Sequence, residues 1–400
     1  MTCPKKGLIG PWGHTYPWAA SPQGLDWAAE EVRWWRHWLC GEQTGVMDGP
    51  VASLFMPCRA AAEVLPQATP GRWIAEAKWP ARTSPWRLFL TPEGLAAKPA
   101  AGQTVSLSSD PVVGLTRPEW LDRPSIDQST DDARSLVYET APLEAPLEIL
   151  GTPTLALTLA SDAPVAQLAV RLTEVTPDGR SWLVTWGLLN LTHRDSHTDP
   201  SPLRPGQRQD VTVELKLIAH QFNRGSRIRI ALSQGLWPLA WPAPGKPVLT
   251  LTLGRKSRLT LPVRSLEAAP YKLPIGEVTT PVAPDQPRPT AITQPVAPGH
   301  YSLANDAPTT VRTIAATGTV LSRGQWEQSE IHEGRADSSL WSQTVRMGWK
   351  RGDWSCDVEA RYRLTSTASH FELSETLLAR SGGETLFEQQ HDSKIVRDLM

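Results

Sequence analysis

Cysteine is scarce. The 400 residues hold four, Cys3, Cys40, Cys58 and Cys356, and none sits in a Cys-x-x-Cys pair or beside histidines at metal spacing. That excludes a disulfide framework and a zinc module, and leaves buried or free thiols in a reducing compartment, with a cytoplasmic location as the expectation. Charge of one sign is also lacking: Lys+Arg 40 against Asp+Glu 41 gives a net charge of -1 with no basic block, which argues against nucleic-acid binding driven by phosphate neutralisation. No apolar run approaches the roughly eighteen residues of a membrane helix. The opening Met1-Thr-Cys-Pro-Lys-Lys6 is not followed by the apolar core of a signal peptide. Phenylalanine and tyrosine number 5 each, against 18 Trp and 37 Pro. A Gly-x-Ser-x-Gly nucleophile elbow is missing altogether.

Four hundred residues suit two or three domains, and 40% hydrophobic content is enough for buried cores. Many prolines between short apolar runs predict β-rich domains in which proline ends strands. From about residue 50 the pattern is strands and turns, continuing to about 265. The clearest strands are Thr154 to Leu159, Ala166 to Thr173, Trp182 to Leu191, Asp210 to Leu217 and Arg227 to Ser233, with Pro177-Asp178-Gly179 as a hairpin signal. Val211, Val213, Leu215 and Leu217 alternate with polar residues, as a half-buried antiparallel strand requires. About eight such strands without intervening helices indicate a jelly-roll β-sandwich over 49–266. A proline-rich linker follows at 267–300, then a small β-rich unit at 301–400. There the odd-even alternation from Cys356 to Leu364 predicts one wet face, and Ser381-Gly382-Gly383 predicts a hairpin.

Residues 1–48 differ in kind. Leu8-Ile9 ends in Gly10-Pro11, so the chain must turn there, and it presents His14 just beyond a strand end. Downstream, Trp27, Glu31, Trp34, Trp35 and Trp38 fall at helical spacing; Ser21-Pro22 offers a start and Gly41 a stop. The ordinary role of such an aromatic stripe is core packing against a sheet, but one strand and one helix cannot bury that face. A strand end, a histidine loop and a helix are how hydrolases of the α/β type display a general base. A histidine on a loop is more often a plain surface residue; the context is what singles out His14. In such hydrolases the nucleophile and the acid precede the histidine, and no residues precede it here that supply them. Ser233 in Ala231-Leu-Ser233-Gln-Gly235 lacks the first glycine, follows the histidine and precedes Trp237-Pro238, so it reads as a decoy. His193, Asp195 and His197 read as a hydrogen-bonded loop before a metal site, and no metal is expected. Trp237 and Trp241 in Gly235-Leu-Trp237-Pro-Leu-Ala-Trp241-Pro either line a pocket or cap the sandwich.

Several stretches together resemble the cocaine esterase and X-Pro dipeptidyl-peptidase (CocE/NonD) group of serine hydrolases. They are Gly10-Pro-Trp12-Gly13-His14, the helix from Glu31 through Trp34, Trp35 and Trp38, Gly45-Val-Met-Asp48, Asp131-Asp-Ala-Arg-Ser135, Gly187-Leu-Leu-Asn190-Leu-Thr-His193, Gly225-Ser-Arg-Ile-Arg-Ile-Ala231-Leu-Ser233 and Trp237-Pro-Leu-Ala-Trp241-Pro. The resemblance covers about residues 5 to 265. It implies an α/β-hydrolase domain of which 1–48 are the last strand, histidine loop and helix, followed by the jelly roll. It further implies ester or amide cleavage, X-Pro dipeptidyl bonds among them, through an acyl-enzyme with His14 as base, no cofactor, and a small ester, amide or peptide as substrate. The family's serine and acid have no counterpart in this chain, so the chain alone is expected to be inactive. Trp237 and Trp241 are the candidates for a pocket wall. Two other readings stand beside this one: a non-enzymatic β-sandwich binding module, and one half of a split hydrolase whose N-terminal catalytic half is separately encoded. Neither a nucleic acid nor a membrane is expected as partner, and the oligomeric state is open.

Overall fold

The computed structural model describes residues 3–12, 16–19, 24–58, 69–100, 102–108, 110–115, 127–266, 271–276 and 294–400. Its centre is a β-sandwich. One sheet has four antiparallel strands in the order Ser181–Asn190, Gln167–Val175, Arg227–Ser233, Leu136–Glu139. The other runs Ile218–Phe222, Leu147–Gly151, Arg258–Arg264, Thr154–Ser161, Leu249–Thr252, Thr104–Leu107, with Gln209–Glu214 and Ser84–Thr91 paired alongside. Alternation builds the core between them: Leu155, Leu157 and Leu159 from one sheet face Leu168, Val170 and Leu172, and Ile228, Ile230 and Leu232, from the other. Val211 and Val213 point into the same core, as their alternation with Asp210 and Thr212 predicts. Each such leucine contributes about 1.5–3 kcal/mol by leaving water.

Gln167–Val175 is buried on both faces. Its outward side carries Arg171, which is fully buried and would be untenable without partners. The four-residue helix Ser129–Asp132 supplies them. Asp132 Oδ1 lies 3.0 Å from Arg171 Nη1, while Gln128 Oε1 and Ser135 Oγ each accept from the same guanidinium at 3.0 Å. The other Asp132 oxygen accepts from Arg229 at 2.8 Å, and Arg229 also reaches Glu139. The adjacent Asp131 accepts the Gly114 and Leu115 amides, each at 3.0 Å.

A buried acid, Glu174, lies on the same strand as Arg171. Glu174 accepts from the Asn223 amide at 3.0 Å and pairs with His220 Nε2 at 2.9 Å. Burial alone would push its pKa up; the His220 hydrogen bond and charge, with the Asn223 amide, more than offset that and hold it below the ordinary carboxylate value.

Three strands stand beside the sandwich: Gly7–Ile9 runs parallel to Ala52–Pro57, which is antiparallel to Gly71–Glu76. The parallel pair is joined by a crossover through the helix Trp27–Cys40, as parallel neighbours require. Ala52, Leu54, Met56 and Ile74 pack on Leu150 of the sandwich, and Arg264 ties Glu76 at 2.7 Å to the buried Glu148. Strands 52–57 and 71–76, expected within the sandwich, thus form their own small sheet with the first strand.

The helix starts at Trp27, where the Asp26 carboxylate accepts the Ala29 amide at 3.1 Å, and stops at Gly41 in the left-handed conformation. The expected start at Ser21-Pro22 lies outside the described residues. No residue of the helix is buried, and Trp35, Trp38, Val32 and Leu39 are exposed.

The C-terminal unit is one eight-stranded antiparallel sheet running from Gln294 to Val396. Its first strand, 294–297, falls inside the segment expected as linker. The long strands Thr319–His332, Arg335–Arg351, Trp354–Ser366, His370–Ser381 and Glu384–Val396 form a meander. One face carries rows such as Met347, Val358, Ala379 and Phe387, and the opposite face carries Arg346, Glu359 and Arg361.

Two expectations follow from the buried charges. Arg171→Met leaves Asp132 without its buried partner and should cost about 3–5 kcal/mol of unfolding free energy, read from the urea midpoint at pH 7. Glu174, its pKa depressed in the fold, adds stability above its unfolded pKa and loses it as pH falls through the folded one. The urea midpoint should therefore drop below about pH 4. Glu174→Gln should lower the neutral midpoint and flatten that acid slope, which a pH series of urea melts would reveal.

Candidate functional site

The strand Gly7–Ile9 delivers the chain to the turn where the histidine loop begins. At Gly10 a Cβ would run into the Trp12 indole, so any larger residue there would force that ring to move. Trp12 sits with its ring centroid 6.0 Å from Trp73, which meets Phe55 edge-on at 5.6 Å. These rings fix the near side of the loop on the small sheet. The far side returns through Tyr16 and Trp18, stacked at 5.8 Å, and is tied by the Leu25 amide to Pro17 O at 3.0 Å. His14 itself lies outside the described residues.

Behind the loop, Arg33 grips Glu30 with two hydrogen bonds of 2.8 Å. Burial, and then the positive charge of Arg33, lower the pKa of Lys6. Thr44 Oγ1 donates to Arg33 O at 3.0 Å and His37 Nδ1 lies 2.9 Å from Glu42 O, so the helix is pinned at its end while its tryptophan face stays open.

Other residues singled out by the sequence fall elsewhere. Ser233 is fully buried and donates to Gly235 O at 2.8 Å; a hydroxyl so engaged, with no base beside it, is a structural one. His193 and His197 have ring centroids 5.6 Å apart, and among the described residues no three His, Cys, Asp or Glu side chains gather in a way that could hold a metal. The His220–Glu174 pair, not singled out by the sequence, has the base-and-acid half of a catalytic arrangement. Cys58, from the neighbouring segment, has its thiol pKa pushed up by burial and then by the charge of Glu174. It therefore stays protonated and is not activated.

Trp237 and Trp241 lie in the seam between the sandwich and the C-terminal sheet. Trp237 is 2% exposed and packs with Val112, Leu303 and Ile331. Its amide donates to Val113 O at 2.8 Å, and the backbones approach so closely that a Cβ at Gly114 would strike the Trp237 carbonyl. Trp241 donates from its indole to Ser366 Oγ at 2.8 Å and meets Phe371 edge-on at 6.0 Å. Arg397 completes the seam, donating to Pro242 O at 2.6 Å and lying 4.8 Å over the Phe371 ring. Leu399 O accepts from Asn190 Nδ2 at 2.8 Å and Thr192 Oγ1 at 2.9 Å. The sequence offered the two tryptophans as a pocket wall or as a cap on the sandwich; here Trp237 is buried and Trp241 is half-buried against Ser366 and Phe371. Their partners lie far off in sequence on both sides, from Val112 and Val113 to Ser366 and Phe371, which is why no local signal pointed to them.

Known proteins resemble the sandwich part of this chain. The family profile described as the X-Pro dipeptidyl-peptidase C-terminal non-catalytic domain matches residues 56–269. A protein of Mycobacterium bovis named as a serine esterase is 27% identical over 261 residues, covering 56% of this chain and 40% of that one. The cocaine esterase of a Rhodococcus strain is 27% identical over 103 residues, 26% of this chain and 18% of its own. An aminopeptidase structure from a marine-sediment Thaumarchaeota archaeon superposes with a TM-score of 0.51 at 19% identity, over 65% of this chain and 49% of that one, and so shares the fold. The chain spans less than half the length of each curated relative named here. With its sandwich matched from end to end, the chain belongs to the cocaine esterase and X-Pro dipeptidyl-peptidase (CocE/NonD) family, by way of that family's C-terminal non-catalytic domain.

Proposed function

We propose that this chain is the C-terminal part of a serine hydrolase that cleaves ester or amide bonds, X-Pro dipeptidyl bonds among them, through an acyl-enzyme. The observation that carries this reading is the strand Gly7–Ile9, its parallel partner, and a helix with no buried residue, whose Trp35 and Trp38 are exposed. These features support the rim of a larger parallel sheet. The names of the relatives, serine esterase and cocaine esterase, support the same class of chemistry.

In this reading a serine on that larger sheet attacks the carbonyl carbon. His14 takes the serine proton as the C–O bond forms and returns it to the departing alcohol or amine, and water then releases the acyl group by the same relay. An acid outside this chain orients the imidazole. The sandwich holds the strand that carries the histidine loop. The chain alone lacks nucleophile and acid and is inactive, and its exposed thiols Cys3 and Cys40 suit the cytoplasm. The catalytic part is either continuous with this chain or a separately encoded half that docks on Trp34, Trp35 and Trp38, since so large an aromatic patch is rarely left in water. The competing reading, a binding module without catalysis, draws on the non-catalytic description of the matched family.

A serine-directed fluorophosphonate separates these readings. In source-cell extract, the species captured by an antibody against residues 301–400 should take up the probe, while the isolated 44.0 kDa chain should not. The isolated chain should also hydrolyse p-nitrophenyl acetate at the buffer rate. In the labelled species, His14→Ala should cut turnover by about a thousandfold or more. Turnover by the isolated chain that depends on His14, or a captured species that never takes up the probe, would overturn the proposal.

A further inference from the structure

The strand Glu384–Val396 ends the C-terminal sheet, and among the described residues its only strand partner is His370–Ser381. It is 13 residues long, with neither proline nor glycine, and among the described residues no strand pairs with its outer edge. Proteins usually blunt such an edge with proline, a bulge or charges that repel a neighbour; here the pairing shifts once, at Leu386, and the run Phe387 to Val396 is regular. Here the outermost side chains include Leu386 at 71%, Phe387 at 46%, Ile395 at 50% and Val396 at 64% exposure. These apolar groups stand at the two ends of one strand, with polar residues between them.

We propose that this strand is a homodimer interface, pairing antiparallel with the same strand of a second copy about a two-fold axis through His391. An edge strand turns only alternate N–H and C=O groups outward. Self-pairing must therefore set residues of equal parity opposite each other, and the axis must pass through a residue. The choice of residue is decided by what then meets. Centred on His391, Glu388 faces Lys394 of the second copy, Gln390 faces Asp392 and Phe387 faces Ile395, each pair occurring twice. Centred on Gln390, Glu388 would face Asp392 and Phe387 would face Ser393. Centred on Asp392, Glu388 would face Val396 and Phe387 would face Arg397. Only the first register matches charge with charge and apolar with apolar.

The charges on this strand are therefore complementary to themselves, the reverse of what an edge defended against pairing would carry. Equal parity also keeps the two faces of the sheet continuous across the axis. Phe387 and Ile395 extend the row of Met347, Val358 and Ala379, and Glu388 and Lys394 extend the opposite, charged face. A second copy is the occupant because no other partner is required to explain the pattern: one strand supplies both halves of every pair.

Sedimentation velocity on the full chain over a concentration series tests this. The expected species has twice the 44.0 kDa of one chain. Lys394→Glu sets two glutamates opposite each other in both symmetry-related pairs and should weaken the dimer about tenfold or more. Combining it with Glu388→Lys restores opposite charges in the same register and should recover the wild-type affinity. Both positions are exposed, and unchanged far-ultraviolet circular dichroism checks that the fold is kept. A chain of 44.0 kDa at every concentration, a dimer indifferent to Lys394→Glu, or a double variant that does not recover would each overturn the proposal.

Discussion

Two adjacent carboxylates on one short helical turn hold together parts of the molecule far apart in sequence. Asp132 neutralises Arg171, sunk in the outer face of the four-stranded sheet, and Arg229 on the next strand. Without it the sheet would carry a bare charge out of water, at a cost of several kcal/mol. Asp131 turns the other way and fixes the Gly114 and Leu115 amides. That loop receives Trp237 at its backbone and, through Val112, joins the hydrophobic cluster with Leu303 and Ile331. The docking of the C-terminal sheet thus depends on the same turn that stabilises the sandwich interior.

What could be read in the sequence was what repeats locally. The alternation of Val211 and Val213, the turn at Pro177-Asp178-Gly179, the stop at Gly41 and the hairpin around Gly382 are each set by side chains within a few residues of one another. The structure has all four. Pairing was a different matter. Nothing in Leu8-Ile9 or in Leu54-Phe55-Met56 says that the two strands run side by side, because partner choice depends on the crossover and on Leu150 beneath. The helix start was misplaced for a related reason: Ser21-Pro22 is the more familiar signal, yet the carboxylate of Asp26 is what accepts the Ala29 amide. The early start of the last sheet was hidden by Pro295, which in a sequence argues against a strand. As part of the first, outermost strand of the sheet it is tolerated, since an edge strand can spare the donor.

The candidate site was legible only in outline. Gly10-Pro11 announced a turn, and the structure adds that the Trp12 ring packs over Gly10 and how Trp73 and Phe55 brace that ring. Trp237 and Trp241 carried the wrong kind of information: tryptophans in a proline-rich loop suit a pocket and a seam equally well. Only Ser366, Phe371 and Arg397, contributed by the opposite end of the chain, decide between them. The uncovered tryptophan helix, by contrast, was foreseen from simple counting of strands.

The strand Ala52–Pro57 belongs to two bodies at once. One edge carries the strand that leads to the histidine loop, and its side chains Leu54 and Met56 are set into the sandwich through Leu150. A general base must be held to a fraction of an ångström. In the function proposed above, the strand leading to the histidine loop takes its position from the sandwich through Leu150, as a tool holder is referred to the bed of a lathe rather than to the workpiece. On that reading a domain that supplies no reacting group governs the accuracy of the chemistry beside it.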